Sequence, residues 1–421
     1  MDYQLRVSDT ALVNAMGRSG AVQILGPKWC GKTTSAEQVA AEVRYFQDPD
    51  HRQEYVRVGL EKPSLLLRGG RPLLLDEWQD VPQVWDAVRY AVDRDPTPGQ
   101  FLLTGSAVPN NQAVKEVRHS GTGRFAQIRM RTMSLFESGE SNGSISLATL
   151  FDSKSVDGES FLTHEAATAA IVRGGWPASV IRSGAAGFEQ PRDYVEALIE
   201  SDISRVDGIE KNPKRVRLLM RSLARNESTE AAMTTLQQDM IADDGHLAMN
   251  TVSGYLNALR CLYVLEEQPA WALAVRSKVV QRTKPIRRYC DPSVPAALLR
   301  LTPEKLLTDF STFGLLFESL AIRDLRVYAE ATDCAIFHYR DSRGLEADAI
   351  VERGDGAWGA VEVKLASFDH EAARRKLLQI RDTVRSQHGG RPSFLLVVTG
   401  ESFAYTDTDG INWVPLGSLG P

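Results

Sequence analysis

The stretch AVQILGPKWCGKTTSAEQVAAEV (Ala21–Val43) decides how the first part of this chain folds. AVQIL (Ala21–Leu25) is a short apolar run of the kind that forms a buried strand. GPKWCGKT follows it, with Gly26, Gly31, Lys32 and Thr33 at the spacing G-x-x-x-x-G-K-[ST]. Glycines at those places let the backbone curl so that its N–H groups face phosphate oxygens. Lys32 then reaches the β- and γ-phosphates, and the Thr33 hydroxyl ligates Mg²⁺. Ala36, Val39, Ala40 and Val43 recur at intervals of three and four, which predicts a helix that leaves the loop and aims its N-terminal partial charge at the same anion. The candidate nucleotide cradle is therefore Gly26, Pro27, Lys28, Trp29, Cys30, Gly31, Lys32, Thr33 and Thr34.

Two further apolar runs, at Leu73–Leu75 and Phe101–Leu103, end in polar residues, as strands do when their C-terminal ends line a site. VWDAVRYAVD between them predicts a crossover helix and hence a parallel sheet. Asp76 and Glu77 close the first run. An aspartate there holds Mg²⁺ through water, and the glutamate orients or deprotonates the attacking water. Thr104 or Ser106 at the end of the second run would bond the γ-phosphate or that water. Arg118 and Arg124 are candidates for stabilising the transferring phosphate, from this chain or from a neighbouring copy. These parts specify nucleotide hydrolysis, and no guanine-reading motif is evident, so ATP is the expected nucleotide.

Length and composition bound the rest. At 421 residues the chain has room for two to four domains. With 49 Lys+Arg against 54 Asp+Glu, the net charge of −5 excludes a uniformly basic coat, but not a local basic surface. No apolar run is long enough to span a bilayer, and MDYQLRVSDT has no secretory pattern. Four scattered cysteines, Cys30, Cys261, Cys290 and Cys334, suit a reducing cytoplasm rather than a disulfide or zinc framework.

The Ser/Gly/Asp/Glu-rich residues 138–160 suggest a boundary or mobile loop, and residues 161–265 have helical patterns. Arg205–Arg225 holds seven basic and two acidic residues, a balance of +5, and Trp271–Cys290 holds six basic and no acidic ones. Two helices and a strand-like stretch between them suggest a winged helix-turn-helix. Its second helix would present Asn250, Thr251, Ser253 and Asn257 to DNA, with Arg260 as its one cation. A packing or lid role competes with that reading.

From about residue 305 a second α/β pattern begins. Its strands bring Asp348 opposite Glu362, and Glu362 and Lys364 point to one face. With Glu318 on the preceding helix, this is the residue set of a metal-dependent phosphodiesterase. Glu318, Asp348 and Glu362 would hold Mg²⁺, and Lys364 would position or activate water. The competing reading is a surface hairpin with an ordinary Glu–Lys pair.

Taken with LLLDEWQ, FLLTGS, Gly123-Arg124, MSLFESGE, RGGWP (Arg173–Pro177), SDISRVDG, SLARN and GLLFES…LEADAIVE…VEVKL, the chain resembles prokaryotic AAA-type P-loop ATPases. In that family a C-terminal domain of unknown function has a restriction-endonuclease-like core. The resemblance runs nearly the full length. It implies an α/β fold: an ATPase domain over residues 1–140, a helical lid or linker over 141–205, a winged-helix-like domain over 206–295 and a nuclease-like domain over 296–421. It implies ATP and Mg²⁺ as cofactors. Lys32, Thr33, Asp76, Glu77 and Thr104 take the ATPase roles, and Glu318, Asp348, Glu362 and Lys364 match the nuclease-like core. The expected function is Mg²⁺-dependent ATP hydrolysis coupled to a C-terminal nuclease-like module that contacts nucleic acid; the alternatives are an ATP-dependent nuclease and an ATP-gated interaction or scaffold protein whose nuclease-like domain is inactive. The expected partners are ATP and DNA or RNA, a homo-oligomer is compatible with the sequence, and no membrane is expected.

Overall fold

In the N-terminal region, the strands Ala21–Leu25, Leu73–Asp76 and Phe101–Gly105 bury nearly every side chain, because the middle of their sheet is covered on both faces, whereas Glu42–Tyr45 and Phe125–Arg129 at its edges are only partly buried. The computed structural model describes residues 3–105, 122–152, 155–182, 184–206, 208–241, 247–271, 284–366, 369–388 and 390–421. They form two units. The first comprises Met1–Thr132, Ala197–Pro213 and Ser253–Val264, and the second Met133–Glu196, Lys214–Val252 and Leu265–Pro421.

The first unit runs α1 (Val7–Met16), β1 (Ala21–Leu25), α2 (Lys32–Glu37), β2 (Glu42–Tyr45), α3 (Arg52–Glu61), β3 (Leu73–Asp76), α4 (Gln83–Arg94), β4 (Phe101–Gly105) and β5 (Phe125–Arg129). The strands are all parallel, in the order β2-β3-β4-β1-β5. Leu73, Leu75, Phe101 and Leu103 pack on Val84, Trp85, Val88 and Val92 of α4. Val22, Ile24, Leu74 and Leu102 pack on Leu12 and Ala15 of α1. Neighbouring residues of one strand thus enter opposite cores, which is why the sequence shows unbroken apolar runs instead of alternation. The predicted helix after the loop is shorter than its pattern. α2 ends at Glu37, and Val43 lies in β2, because the N–H groups of Ala41 and Glu42 bond Pro72 O at 2.8 and 3.4 Å and draw the chain into the sheet.

The second unit is built on a mixed sheet. Its elements are β6 (Asp157–Glu159), α5 (His164–Arg173), α6 (Phe310–Ala331), β7 (Cys334–Arg340), β8 (Glu346–Arg353), β9 (Trp358–Lys364), α7 (His370–His388), β10 (Phe394–Thr399), β11 (Phe403–Thr406) and β12 (Ile411–Pro415), in the sheet order β7-β8-β9-β10-β12-β11-β6. Ala373, Leu377, Ile380 and Val384 of α7 pack on Ile350, Ala360, Leu395, Val397 and Trp413. Residues 138–160, expected as a boundary or mobile loop, instead join this unit. Asp157–Glu159 pair with β11, and Ile145–Ser146 pair in parallel with Leu419–Gly420.

The middle segment is helical, as its pattern predicted. Helices at Pro213–Arg225, Met233–Ile241 and Met249–Cys261 precede an antiparallel pair of strands, Leu265–Gln268 with Ile286–Tyr289. Upstream, Leu198–Asp202 forms a π-helical turn, a wide turn that often marks a functional position.

Candidate active site

The loop of residues 26–31 follows β1 directly, and its backbone explains its residues. A Cβ on Gly26 would lie 2.1 Å from Met130 O, a contact that only glycine avoids. Gly31, at φ 105°, closes the loop in the left-handed region that glycine adopts without strain. Trp29, at φ 64°, takes the same region despite its side chain and is half exposed. Lys32 is buried, and its ammonium donates to Gly26 O at 3.0 Å and Pro27 O at 2.8 Å. Two of its three donors thus close the loop on itself. Lys28 pairs with Asp202 of the π-helical turn at 2.6 Å, a partner 174 positions away that no local pattern marks.

At the neighbouring strand ends three predicted residues converge. Thr33 Oγ1 donates to Asp76 Oδ1 at 2.7 Å, and Thr104 Oγ1 donates to the same oxygen at 2.6 Å. Glu77 follows in a left-handed conformation (φ 52°, ψ 49°), a strained state for a non-glycine residue that is typical of functional positions. Its N–H donates to Thr104 Oγ1 at 3.4 Å, and the Gln79 amide donates to its carboxylate. Gln79 belongs to the LLLDEWQ stretch, where nothing local marks it for a role. The site gives it a task, which is holding Glu77 in place. A hydroxyl and a carboxylate at one point are hard oxygen donors, the set that Mg²⁺ takes together with water. Thr33 and Asp76 therefore fit that ion, which when bound would neutralise charge on the phosphates.

Arg124 is not brought to this place. Its carbonyl accepts from Ala21 N, at the start of β1, whereas the loop leaves the other end of that strand. A five-residue parallel strand spans about 16 Å. Its guanidinium pairs instead with Asp93 at 2.7 Å and bonds Thr122 O. The proposed action of Arg124 on a phosphate in its own chain is thus corrected. Ser106 and Arg118 lie outside the described residues.

In the second unit, strand register sets the carboxylates. Ala349 pairs with Val361 across β8 and β9, so Asp348 stands opposite Glu362, and Val363 N donates to Asp348 Oδ2 at 2.8 Å. The expected neighbours meet, but each is already paired with a cation. Glu362 is fully buried and held by Lys364 at 3.2 Å and by Lys376 of α7 at 3.0 Å. Glu318 is paired with the buried Arg288 at 2.6 Å. Burial, with Asp348 adding to it, pushes Glu318 up to about 7 and Glu362 up to about 8. Lys364 is held above its usual range, against burial, by Asp348 and Glu362. Among the described residues, no three His, Cys, Asp or Glu side chains are placed to hold one metal ion. Around Glu318, Asp348 and Glu362, for which a metal role is expected, the paired cations are Arg288, Lys364 and Lys376. A cavity of about 240 Å³ opens beside Glu318 and Asp348, lined also by Ser228, Glu230 and His338.

Four cations of the basic stretches, Arg217, Arg225, Arg287 and Arg288, meet an acid or a carbonyl. Arg288 is buried, bonding Gln268 at 2.9 Å as well as Glu318, and Arg287 bonds Ala231 O at 2.9 Å. Arg217 makes a two-pronged pair with Glu196, at 2.6 Å for each bond, and Arg225 pairs with Asp239 at 2.9 Å. Beside Arg288 lies Glu227, whose carboxylate accepts from Ser319 Oγ at 2.8 Å and Tyr289 N at 3.2 Å. Burial pushes it up to about 7, with Arg288 pulling the other way. The folded state therefore keeps a proton that the unfolded chain releases near pH 4.5. Its contribution to stability is complete below that pH and is lost as pH rises through about 7. Urea unfolding of the second unit is expected to show stability falling by on the order of 1–3 kcal/mol between about pH 5 and 8. Glu318 and Glu362, raised by the same burial, add to that slope, so Glu227→Gln should lower it by its own share, and an unchanged slope in the variant would refute the assignment.

Residues 18–138 match the family model of an AAA domain. That span takes in the loop, Asp76, Glu77 and Thr104, and the match supports a P-loop AAA ATPase with ATP as its nucleotide. Residues 164–305 and 313–419 match two families described as domains of unknown function, DUF8612 and DUF4143. The uncharacterized proteins Rv2008c of Mycobacterium tuberculosis and Mb2031c of Mycobacterium bovis are each 24% identical over 372 residues, covering 87% of this chain and 75% of theirs. Among solved structures, the Walker-type ATPase of Pyrococcus abyssi aligns with a TM-score of 0.44 and 12% identity, over 69% of this chain and 94% of that one. Among the described residues, no helix is long and apolar enough to cross a membrane.

Proposed function

We propose that this chain hydrolyses ATP with Mg²⁺ at the loop of residues 26–34, and that its C-terminal part contacts nucleic acid without cutting it. The observation that carries the first half is the convergence of the Thr33 and Thr104 hydroxyls on Asp76 Oδ1, beside a phosphate loop. In this reading the loop N–H groups and Lys32 bind the triphosphate, and Thr33 and Asp76 hold the ion. Glu77, steadied by Gln79, takes the proton of the attacking water. Binding and hydrolysis then part company at Glu77. Glu77→Gln is expected to bind ATP within about threefold of wild type while phosphate release falls roughly 100-fold or more. Wild-type turnover in Glu77→Gln would remove that residue from the chemistry.

For the C-terminal half, the exposure of Asn250, Ser253, Asn257 and Arg260 on the helix Met249–Cys261 supports contact with nucleic acid, in a winged-helix-like segment followed by a nuclease-like core. The alternative is an ATP-dependent nuclease built on Glu318, Asp348, Glu362 and Lys364. Burial of Glu362 between two lysines favours the non-cutting reading, because a metal would have to displace both cations. Wild type and Lys364→Ala are therefore expected to leave labelled DNA and RNA intact with Mg²⁺ or Mn²⁺, while binding weakens steeply with salt. Cleavage by wild type that disappears in Lys364→Ala would establish the nuclease instead.

A further inference from the structure

The N-terminal segment ahead of the phosphate loop has no part in the function described so far, yet its contacts run to that loop. Arg6 is buried, just before α1. Its guanidinium donates to Cys30 O and to Arg131 O, each at 2.8 Å. Cys30 is the loop residue before Gly31. Arg131 follows Met130, whose N–H bonds Leu25 O at 2.7 Å and whose carbonyl lies against Gly26. One planar side chain thus ties the far end of the loop to the backbone that supports its start.

The tie itself is anchored. Asp9 accepts from Arg6 N at 2.8 Å and from the Tyr3 hydroxyl at 2.8 Å. That hydroxyl also shares a hydrogen bond with Ser35 Oγ at 2.7 Å, on the helix that leaves the loop. From these contacts we infer that Arg6 is a positioning residue for nucleotide binding, which rests on the reading of residues 26–34 as a phosphate loop. In a trans peptide plane the C=O and the next N–H point in opposite directions. With Cys30 O drawn to Arg6, the Gly31 N–H is turned away from Arg6, which in the phosphate-loop reading leaves it for a phosphate oxygen. A fork of donors fixes two carbonyls at once, which a single ammonium does not.

Donors that meet the phosphates equally before and during reaction change affinity more than rate. The test uses the full chain, with binding of a fluorescent ATP analogue and Mg²⁺-dependent phosphate release measured for wild type, Arg6→Lys and Arg6→Ala. In Arg6→Ala, Kd and KM are expected to rise about tenfold or more while kcat changes less than about threefold. Arg6→Lys should fall between, and millimolar guanidinium should restore affinity to Arg6→Ala but not to wild type or Arg6→Lys. A folded Arg6→Lys or Arg6→Ala with wild-type Kd and KM would overturn the inference. If Arg6→Ala does not fold, Arg6→Lys decides alone by the same criterion. Folded wild type that binds no analogue would instead overturn the phosphate-loop reading, and this inference with it.

Discussion

Replacing Lys32 by alanine is expected to lower Mg²⁺-dependent phosphate release from ATP by roughly 100- to 1000-fold, corresponding to about 3–4 kcal/mol of transition-state stabilisation. Two effects add. The buried ammonium bonds Gly26 O and Pro27 O, so its removal leaves two loop carbonyls without their donor. It also removes the positive charge that meets the phosphates as negative charge shifts during transfer. Lys32→Arg should not rescue turnover, since a planar fork does not fit where a compact ammonium bridges two adjacent carbonyls. Phosphate release with saturating ATP, with and without chelator, reads the effect. Turnover in Lys32→Ala within twofold of wild type would show that this loop is not the hydrolytic site.

The sequence made most of the first unit legible because its signals are local. A buried strand, a glycine loop and a strand-end carboxylate each occupy a few consecutive residues, so Lys32, Thr33, Asp76 and Thr104 could be named before their meeting was visible. The register of β8 and β9 was legible too, since a hairpin of fixed length sets Asp348 against Glu362. Partners distant in sequence were not. Lys376 reaches Glu362 from α7, Arg288 reaches Glu318 across thirty positions, and Asp202 reaches Lys28 across 174. Each is an ordinary charged residue whose neighbour only the fold chooses. Arg124 failed for a related reason. Its place in a Gly-Arg motif gave no sign that it precedes the N-terminal end of β5, and in a parallel sheet only the other end faces the site.

The same distinction recasts the charge pattern. Arg217, Arg225, Arg287 and Arg288 appeared in the sequence as parts of basic stretches, and a stretch counts only neighbours in the chain. In the fold each meets an acid or a carbonyl. Local positive balance therefore overstated the surface available to a polyanion. What supports nucleic-acid contact is the exposed polar face of the helix Met249–Cys261, a feature of residue spacing rather than of charge.

Several stretches quoted for their resemblance, MSLFESGE, RGGWP and the helix that continues GLLFES, turn out to meet at one buried arginine. Arg323 → Met is expected to destabilise the second unit by about 3–5 kcal/mol, as removal of one partner from a buried ion pair does. Arg323 lies on α6 with 4% exposure, and bonds Asp324 at 2.7 Å and Asp291 at 3.2 Å, two fully buried carboxylates. Those carboxylates carry the rest of the node. Asp324 accepts from Leu135 N at 3.0 Å, and Asp291 accepts from Gly175 N at 3.0 Å and Ser293 N at 2.9 Å. Gly175 has no room for a side chain, because a Cβ would lie 2.0 Å from Met133 O, and Trp176 bonds Ser293 Oγ at 2.9 Å. Without Arg323, Asp291 and Asp324 would both lose the guanidinium that they share. Burial already pushes Asp324 up to about 6 while Arg323 opposes it. Removing the arginine should therefore raise that carboxyl further, and the loss of stability should shrink as pH falls toward about 6 and Asp324 takes up a proton in the variant. Urea titrations of wild type and Arg323→Met at neutral and acidic pH measure both the loss and its recovery. A neutral-pH loss below about 1 kcal/mol would mean that packing rather than charge holds the node together.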